Sequence, residues 1–109
     1  MSLLNPYHMA LTLTANATKT FFHRAKDNSM EGAHIPNSAL LVVDKVTIPH
    51  SGSIIVADVN GERLVRRMHR NGEACVLHPE NAMYPSVIVK EGMQMNVLGV
   101  VTAIILEPF

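Results

Sequence analysis

Asn-Gly occurs twice at short range, at Asn60-Gly61 and again at Asn71-Gly72. Each pair stands between β-rich runs. A type I′ turn requires positive φ at both central residues, and Asn-Gly meets that requirement better than any other pair. Ser53–Val59 (SIIVADV), Glu62–Arg70 and Glu73–His78 therefore read as three adjacent antiparallel strands joined by successive hairpins. Short β-runs bounded by turn residues continue on both sides. Thr20–Ala25, the continuous apolar run Ala39–Asp44, Val87–Lys90 and Met95–Leu106 are further strands, and Ser29–Ala33 is a turn or a single helical turn. No long helical period occurs anywhere. The fold class is mainly β: a curled, barrel-like antiparallel sheet built on successive β-hairpins.

The chain has 109 residues, the length of one domain, and 48% of them are hydrophobic, enough for a core without covalent staples. Residues 1–19 carry Asn5-Pro6 and a Thr/Ala/Asn-rich stretch with no period, and read as an N-terminal arm. Met1–Leu3 is the kind of extension that cloning leaves. Residues 20–109 form the domain. Zero formal net charge removes the basic face expected of a nucleic-acid binder, so direct DNA or RNA contact is not expected. Cys75 is the only cysteine; it forms no internal disulfide or zinc knuckle and suits the cytoplasm as a buried bystander. His8, His23, His34, His50, His69 and His78 show no metal-ligand spacing, and neither a metal nor a cofactor is expected. The apolar run Val97–Leu106 is about half the length of a spanning helix. No membrane segment and no signal peptide are read.

Two residues carry the chemical argument. On Glu62–Arg70, period-two alternation puts Arg66 between Leu64 and Met68, on the more apolar stretch of its strand. Taken alone, it reads as a surface arginine that covers the sheet with its stem. Ser29 in Asp27-Asn28-Ser29-Met30 reads, alone, as a cap or turn residue.

Taken in order, six motifs resemble the catalytic domain of the LexA/UmuD-type serine–lysine peptidase family, closest to the SOS mutagenesis protein UmuD. Asp27-Asn28-Ser29-Met30 stands for the family's Gly-Asp-Ser-Met. Leu40–Asp44 matches its strand ending in Val-Asp, and Pro49…Gly52-Ser53-Ile54-Ile55 its Pro…Gly-Asp-Ile-Val. Asn60-Gly61-Glu62-Arg63-Leu64-Val65-Arg66 matches Asp/Asn-Gly-Glu-Phe-Thr-Val-Lys. Leu77-His78-Pro79-Glu80-Asn81 matches Leu-x-Pro-x-Asn, with Tyr84 following, and Gly99-Val100-Val101-Thr102 resembles the terminal Gly-Val-Val. The resemblance runs from Thr20 to Ile105, with no gap between Ser29 and Arg66.

The resemblance implies a nucleophile at Ser29 and places Arg66 where the family has its general-base lysine. A buried lysine of lowered pKa takes the serine's proton. Guanidinium stays protonated and cannot. Other family positions have also changed: Asp27-Asn28 before the serine, Asn37-Ser38-Ala39 for Asp-Gly-Asp, and Gly52-Ser53 for Gly-Asp. Lys26, Lys45 and His34 are substitute bases to be weighed, though none matches the family's lysine. The family cuts its own arm at Ala-Gly or Cys-Gly, and residues 1–28 contain no glycine.

The implied function is a UmuD-like module of the SOS response and error-prone DNA repair. It would form a homodimer, with Met95–Leu106 as both core and candidate interface. Its expected partners are a Y-family DNA polymerase and RecA filaments. The alternatives are a self-cleaving serine peptidase that is still active, and the C-terminal dimerisation domain of a LexA- or phage-type repressor.

Overall fold

A computed structural model describes residues 19–107. The expected arm over 1–19 therefore lies outside the described residues, apart from Lys19. Strands β1 (Thr20–Arg24), β2 (Leu40–Asp44), β3 (Ile54–Val59), β4 (Glu62–Asn71), β5 (Ala74–His78), β6 (Val87–Val89) and β7 (Met95–Ile105) form one sheet. Its order is β1-β2-β7-β3-β4-β5-β6, and every pairing is antiparallel. Within residues 20–107, helix is limited to one 3-10 turn at Glu31–Ala33, and among the described residues no helix is long and apolar enough to cross a membrane. The sheet is curled rather than closed, with β1 and β6 as its edges. The curl brings β1 over β4: His23 and Ala25 line one cleft together with Arg63–Arg66, although β1 and β4 are not neighbours in the sheet.

The meander β3-β4-β5 forms as the two Asn-Gly pairs require, but the two turns differ. Asn60 (φ 48°) and Gly61 (φ 86°) both take positive φ, the type I′ pattern. At the second turn β4 runs one residue further than expected. Asn71 pairs with Ala74, so Gly72-Glu73 are central and Gly72 (φ 62°) alone has positive φ. That is the type II′ pattern, which needs glycine only at its first central position.

Strand β7 is the spine of the sheet, paired with β2 on one side and β3 on the other. The register slips once against each neighbour. Val42 faces Ala103 while Val43 faces Val101, leaving Thr102 as the extra residue. Val56 faces Gly99 while Ala57 faces Val97, leaving Leu98 as the extra residue. Two bulges on one strand add local twist, which is how a flat meander becomes a curled one.

Each face of the sheet carries a core. Met30, Ile35, Leu41, Val43, Val56 and Val65 are buried on one side. Ile55, Ala57, Met68, Leu77 and Val100 are buried on the other. Strand β2 is buried along Leu40–Val43, which accounts for its continuous apolar run.

Candidate active site

The segment between β1 and β2 is a closed loop. Ala25 N–H donates to Ala39 O (2.9 Å) and Ser38 N–H donates to Ala25 O (2.8 Å), so its two ends are tied together. Inside it, Asp27 Oδ1 accepts the Ser29 N–H (2.9 Å), and Asn28 Oδ1 accepts the Asn37 N–H (3.0 Å). Short polar side chains that bond backbone two residues on hold such turns without regular structure. Met30 and Ile35 pair across the loop, and both insert into the first core. Ser38 sits at φ 76°, a left-handed conformation, at the position where the resembled motif has glycine.

The Leu-His-Pro-Glu-Asn stretch clamps this loop from outside. Glu80 N–H donates to Ser29 O and Gly32 N–H to Glu80 O, each at 2.8 Å. Asn81 Nδ2 donates to Asn28 O at 2.9 Å. A β-carbon on Gly32 would lie 2.6 Å from Glu80 O, so only glycine allows the approach. Arg67 locks the clamp, donating from Nε to Glu80 Oε1 (2.6 Å) and from Nη1 to Gly52 O (2.7 Å). Neither Arg67 nor Glu80 stood out in the sequence. Their roles come from a contact between β4 and the loop after β5, which no local pattern encodes.

Ser29 and Arg66 meet. Ser29 is 2% exposed and Arg66 6%, and Arg66 Nη1 donates to Ser29 Oγ at 2.8 Å and to Val65 O at 2.8 Å. The guanidinium is thus buried against the serine rather than laid over the sheet surface. The Ser29 oxygen accepts from Arg66, and the Asp27 carboxylate stands beside it through the bond from the Ser29 N–H to Asp27 Oδ1. Burial pushes the Asp27 carboxyl up. Hydrogen bonds from the Ser29 hydroxyl and amide, with the Arg66 charge, outweigh this and leave it below its usual range. A carboxylate so stabilised is a weak base near neutral pH.

The lowered Asp27 value links pH to stability. A carboxyl that titrates lower in the folded than in the unfolded chain contributes stability above its unfolded value of about 3.9. That contribution is lost as pH falls through the folded value. Asp27→Asn should therefore lower the urea midpoint at about pH 6 and converge with the parent by about pH 2. Asp44 and Asp58 are also lowered and would drive the acid transition common to both proteins. A midpoint difference that stays constant with pH would contradict the assignment.

Of the substitute bases, Lys26 lines the Ser29 cleft, whereas His34 and Lys45 do not. His34 ends the 3-10 turn in a left-handed conformation (φ 66°). Lys45 follows β2, its amide bonded to Lys19 O (2.7 Å). His23, not singled out from sequence, lines the cleft too. Burial, then the charges of Lys26 and Arg63, holds its imidazole below the usual value, against a smaller opposing pull from Asp58. Its parity on β1 with the buried Ala25 was the available signal. The Met95–Leu106 run forms the interior strand β7, which stops at Ile105, with Val100 buried and Ile104 and Leu106 exposed.

Comparison with known proteins gives a consistent set of relatives. The profile of the family described as Peptidase S24-like matches residues 5–102. Protein SamA of Salmonella typhimurium is 37% identical over 86 residues, covering 79% of this chain and 59% of that protein. The LexA repressor of Citrifermentans bemidjiense is 35% identical over 85 residues, covering 77% of this chain and 42% of the repressor. The LexA repressor of Haemophilus ducreyi is 31% identical over 91 residues, covering 83% and 43%. The chain thus spans 42–59% of the length of these three relatives.

Proposed function

Because the chain belongs to the Peptidase S24-like family, we propose that it acts as a UmuD-like, dimeric interaction module of error-prone DNA repair, in which the self-cleavage site has lost its base. The observation that carries the loss is the 2.8 Å hydrogen bond from Arg66 Nη1 to Ser29 Oγ. The position that would withdraw the serine's proton instead presents it with a permanent donor. Asp27, the carboxylate that lines the cleft with Ser29, is held in its ionised form and attracts a proton weakly.

The partners follow from the resemblance to UmuD: a second copy of the chain, a Y-family DNA polymerase and RecA filaments, all in the cytoplasm. Zero net charge suits a protein that reaches DNA through partners. Without a cut to make, such a module would act by binding alone.

The LexA repressors among the relatives favour one other reading, the dimerisation domain of a transcriptional repressor. One experiment separates them. The protein at its natural level in its own host should co-purify with the Y-family polymerase after DNA damage. A natural reading frame continuing upstream into a helix-turn-helix, with operator binding by the longer product, would overturn the polymerase reading.

A further inference from the structure

The two Asn-Gly turns differ in chemistry as well as in conformation. Asparagine before glycine is the sequence in which a side-chain amide is most easily lost without an enzyme. The following backbone nitrogen closes on the asparagine Cγ, and glycine has no β-carbon to obstruct it. The space where a β-carbon would stand is open at both turns, with nothing within 4 Å of it at Gly61 or at Gly72. The attacking nitrogen is therefore unobstructed in each, and what separates the turns is how firmly the asparagine is held.

Asn60 is pinned. Its N–H donates to Gln94 O (2.8 Å), and its Oδ1 accepts the Gln94 N–H (3.1 Å). Main chain and side chain are thus both tied to the residue that precedes β7. At the second pair from the turn, Arg63 binds Asp58 across the hairpin (3.0 Å). Val59, just before Asn60, is buried in the second core. Asn71 has none of these restraints. Its side-chain amide makes no hydrogen bond among the described residues, and no ion pair crosses its hairpin there. Residues 69–74 are all exposed. The last hydrogen bond to reach this end of β4 from outside the hairpin runs from Arg70 N–H to Ser51 Oγ (3.0 Å), one residue short of Asn71. Beyond it, the pairing of Asn71 with Ala74 closes the tip. Backbone bonds at an exposed tip open locally at small cost, whereas a pinned turn opens only together with its surroundings.

We propose that Asn71 is a site of spontaneous deamidation in the folded protein, and that the fold protects Asn60 from the same reaction. The Gly72 amide nitrogen gives up its proton and bonds to Asn71 Cγ. The Cγ–Nδ2 bond breaks, and Nδ2 leaves as ammonia with that proton. The five-membered imide so formed takes up water at one of its two carbonyls. Opening at Cγ gives aspartate. Opening at the main-chain carbonyl gives isoaspartate, whose backbone runs through the former side chain and is longer by one carbon. No electrons are transferred, and water is the only co-reactant. Either product gives the chain one negative charge beyond its formal balance of zero. The isoaspartate also breaks the register of Asn71 with Ala74, so the change marks this hairpin in both charge and shape.

The test is peptide mapping by mass spectrometry of the whole chain, kept folded at mildly alkaline pH and sampled over time. The peptide that carries Asn71 should first appear lighter by one ammonia, as the imide. It should then appear one mass unit heavier than the parent, as aspartate and isoaspartate. It should react at least about tenfold faster than the peptide that carries Asn60, the ratio given by a difference of about 1.4 kcal/mol in opening. In urea that unfolds the chain, the two should react within a few-fold of each other. Asn71→Gln, whose longer side chain would have to close a less favoured six-membered ring, should remove the change at that position and leave Asn60 as it was. Equal rates at the two turns of the folded protein, or an unreactive Asn71, overturns the proposal. So does a gap that persists in urea, because the neighbouring side chains in sequence, and not the fold, would then set the difference.

Discussion

Arg66→Lys is expected to raise the rate at which a fluorophosphonate modifies Ser29 by about 10²- to 10⁴-fold, the range that a positioned general base contributes. The geometry for this is already in place. Residue 66 points from β4 into a site where it is 6% exposed, and its head touches Ser29 Oγ. A lysine in that slot is desolvated, so its amine gives up a proton more readily and can accept one from the serine. Arg66→Gln, which is neutral but not basic, should stay as slow as the parent. Ser29→Ala in the Arg66→Lys background should abolish the labelling. A folded Arg66→Lys protein with no gain would mean that the altered loop, with Asp27, Asn28 and Ser38, has misplaced the hydroxyl as well.

Gly99→Ala is expected to destabilise the domain by about 1–3 kcal/mol, the usual cost of forcing extra volume into a packed interior. A β-carbon there would meet Asp44 O at 2.5 Å and Val43 Cγ1 at 2.7 Å. The first of these is backbone in the neighbouring strand and cannot swing away. Gly99 also sits between the two bulges of β7, where β2 and β3 approach from either side. Urea unfolding should show a lowered midpoint with an unchanged slope, and a melting temperature lower by roughly 4–8 °C per kcal/mol. A midpoint matching the parent would mean that β7 can shift enough to open the space.

Most of the fold was legible because it rests on local chemistry. Asn60-Gly61 specifies its turn through φ alone, and the alternation on β4 assigns Val65 and Arg66 to opposite faces whatever surrounds them. The second turn was legible in place and not in type. Asn71 and Gly72 are compatible with either hairpin, and the pairing of Asn71 with Ala74 decides between them. Thr20–Ala25, expected as a strand to its end, stops at Arg24 because the Ala25 amide turns to Ala39 O and closes the loop.

The site divides along the same line. Ser29 and Arg66 were marked by motif order, but their contact spans two strands and a loop and is a property of the curl. His23, Lys26 and Arg63 enter the cleft only because β1 folds over β4. Arg67 and Glu80 gain their role from the clamp on the Ser29 loop, and read alone as surface charges. Asp27 was read as a departure from the family's glycine. In place it accepts the Ser29 amide and is held ionised beside the serine, a role visible only once the turn is formed.

The central claim is that the unaltered chain holds a serine with no base. It is tested most directly by following fluorophosphonate labelling of the unaltered protein and of Ser29→Ala by mass spectrometry from about pH 6 to about pH 10, the range over which histidine and lysine bases lose their protons. The account predicts that the two proteins stay equally slow across the whole range, because the guanidinium of Arg66 never deprotonates there. Labelling or self-cleavage that depends on Ser29 and rises through a titration near neutral pH would contradict it, and would place a working base, with His23 the first to examine, within reach of the Ser29 hydroxyl.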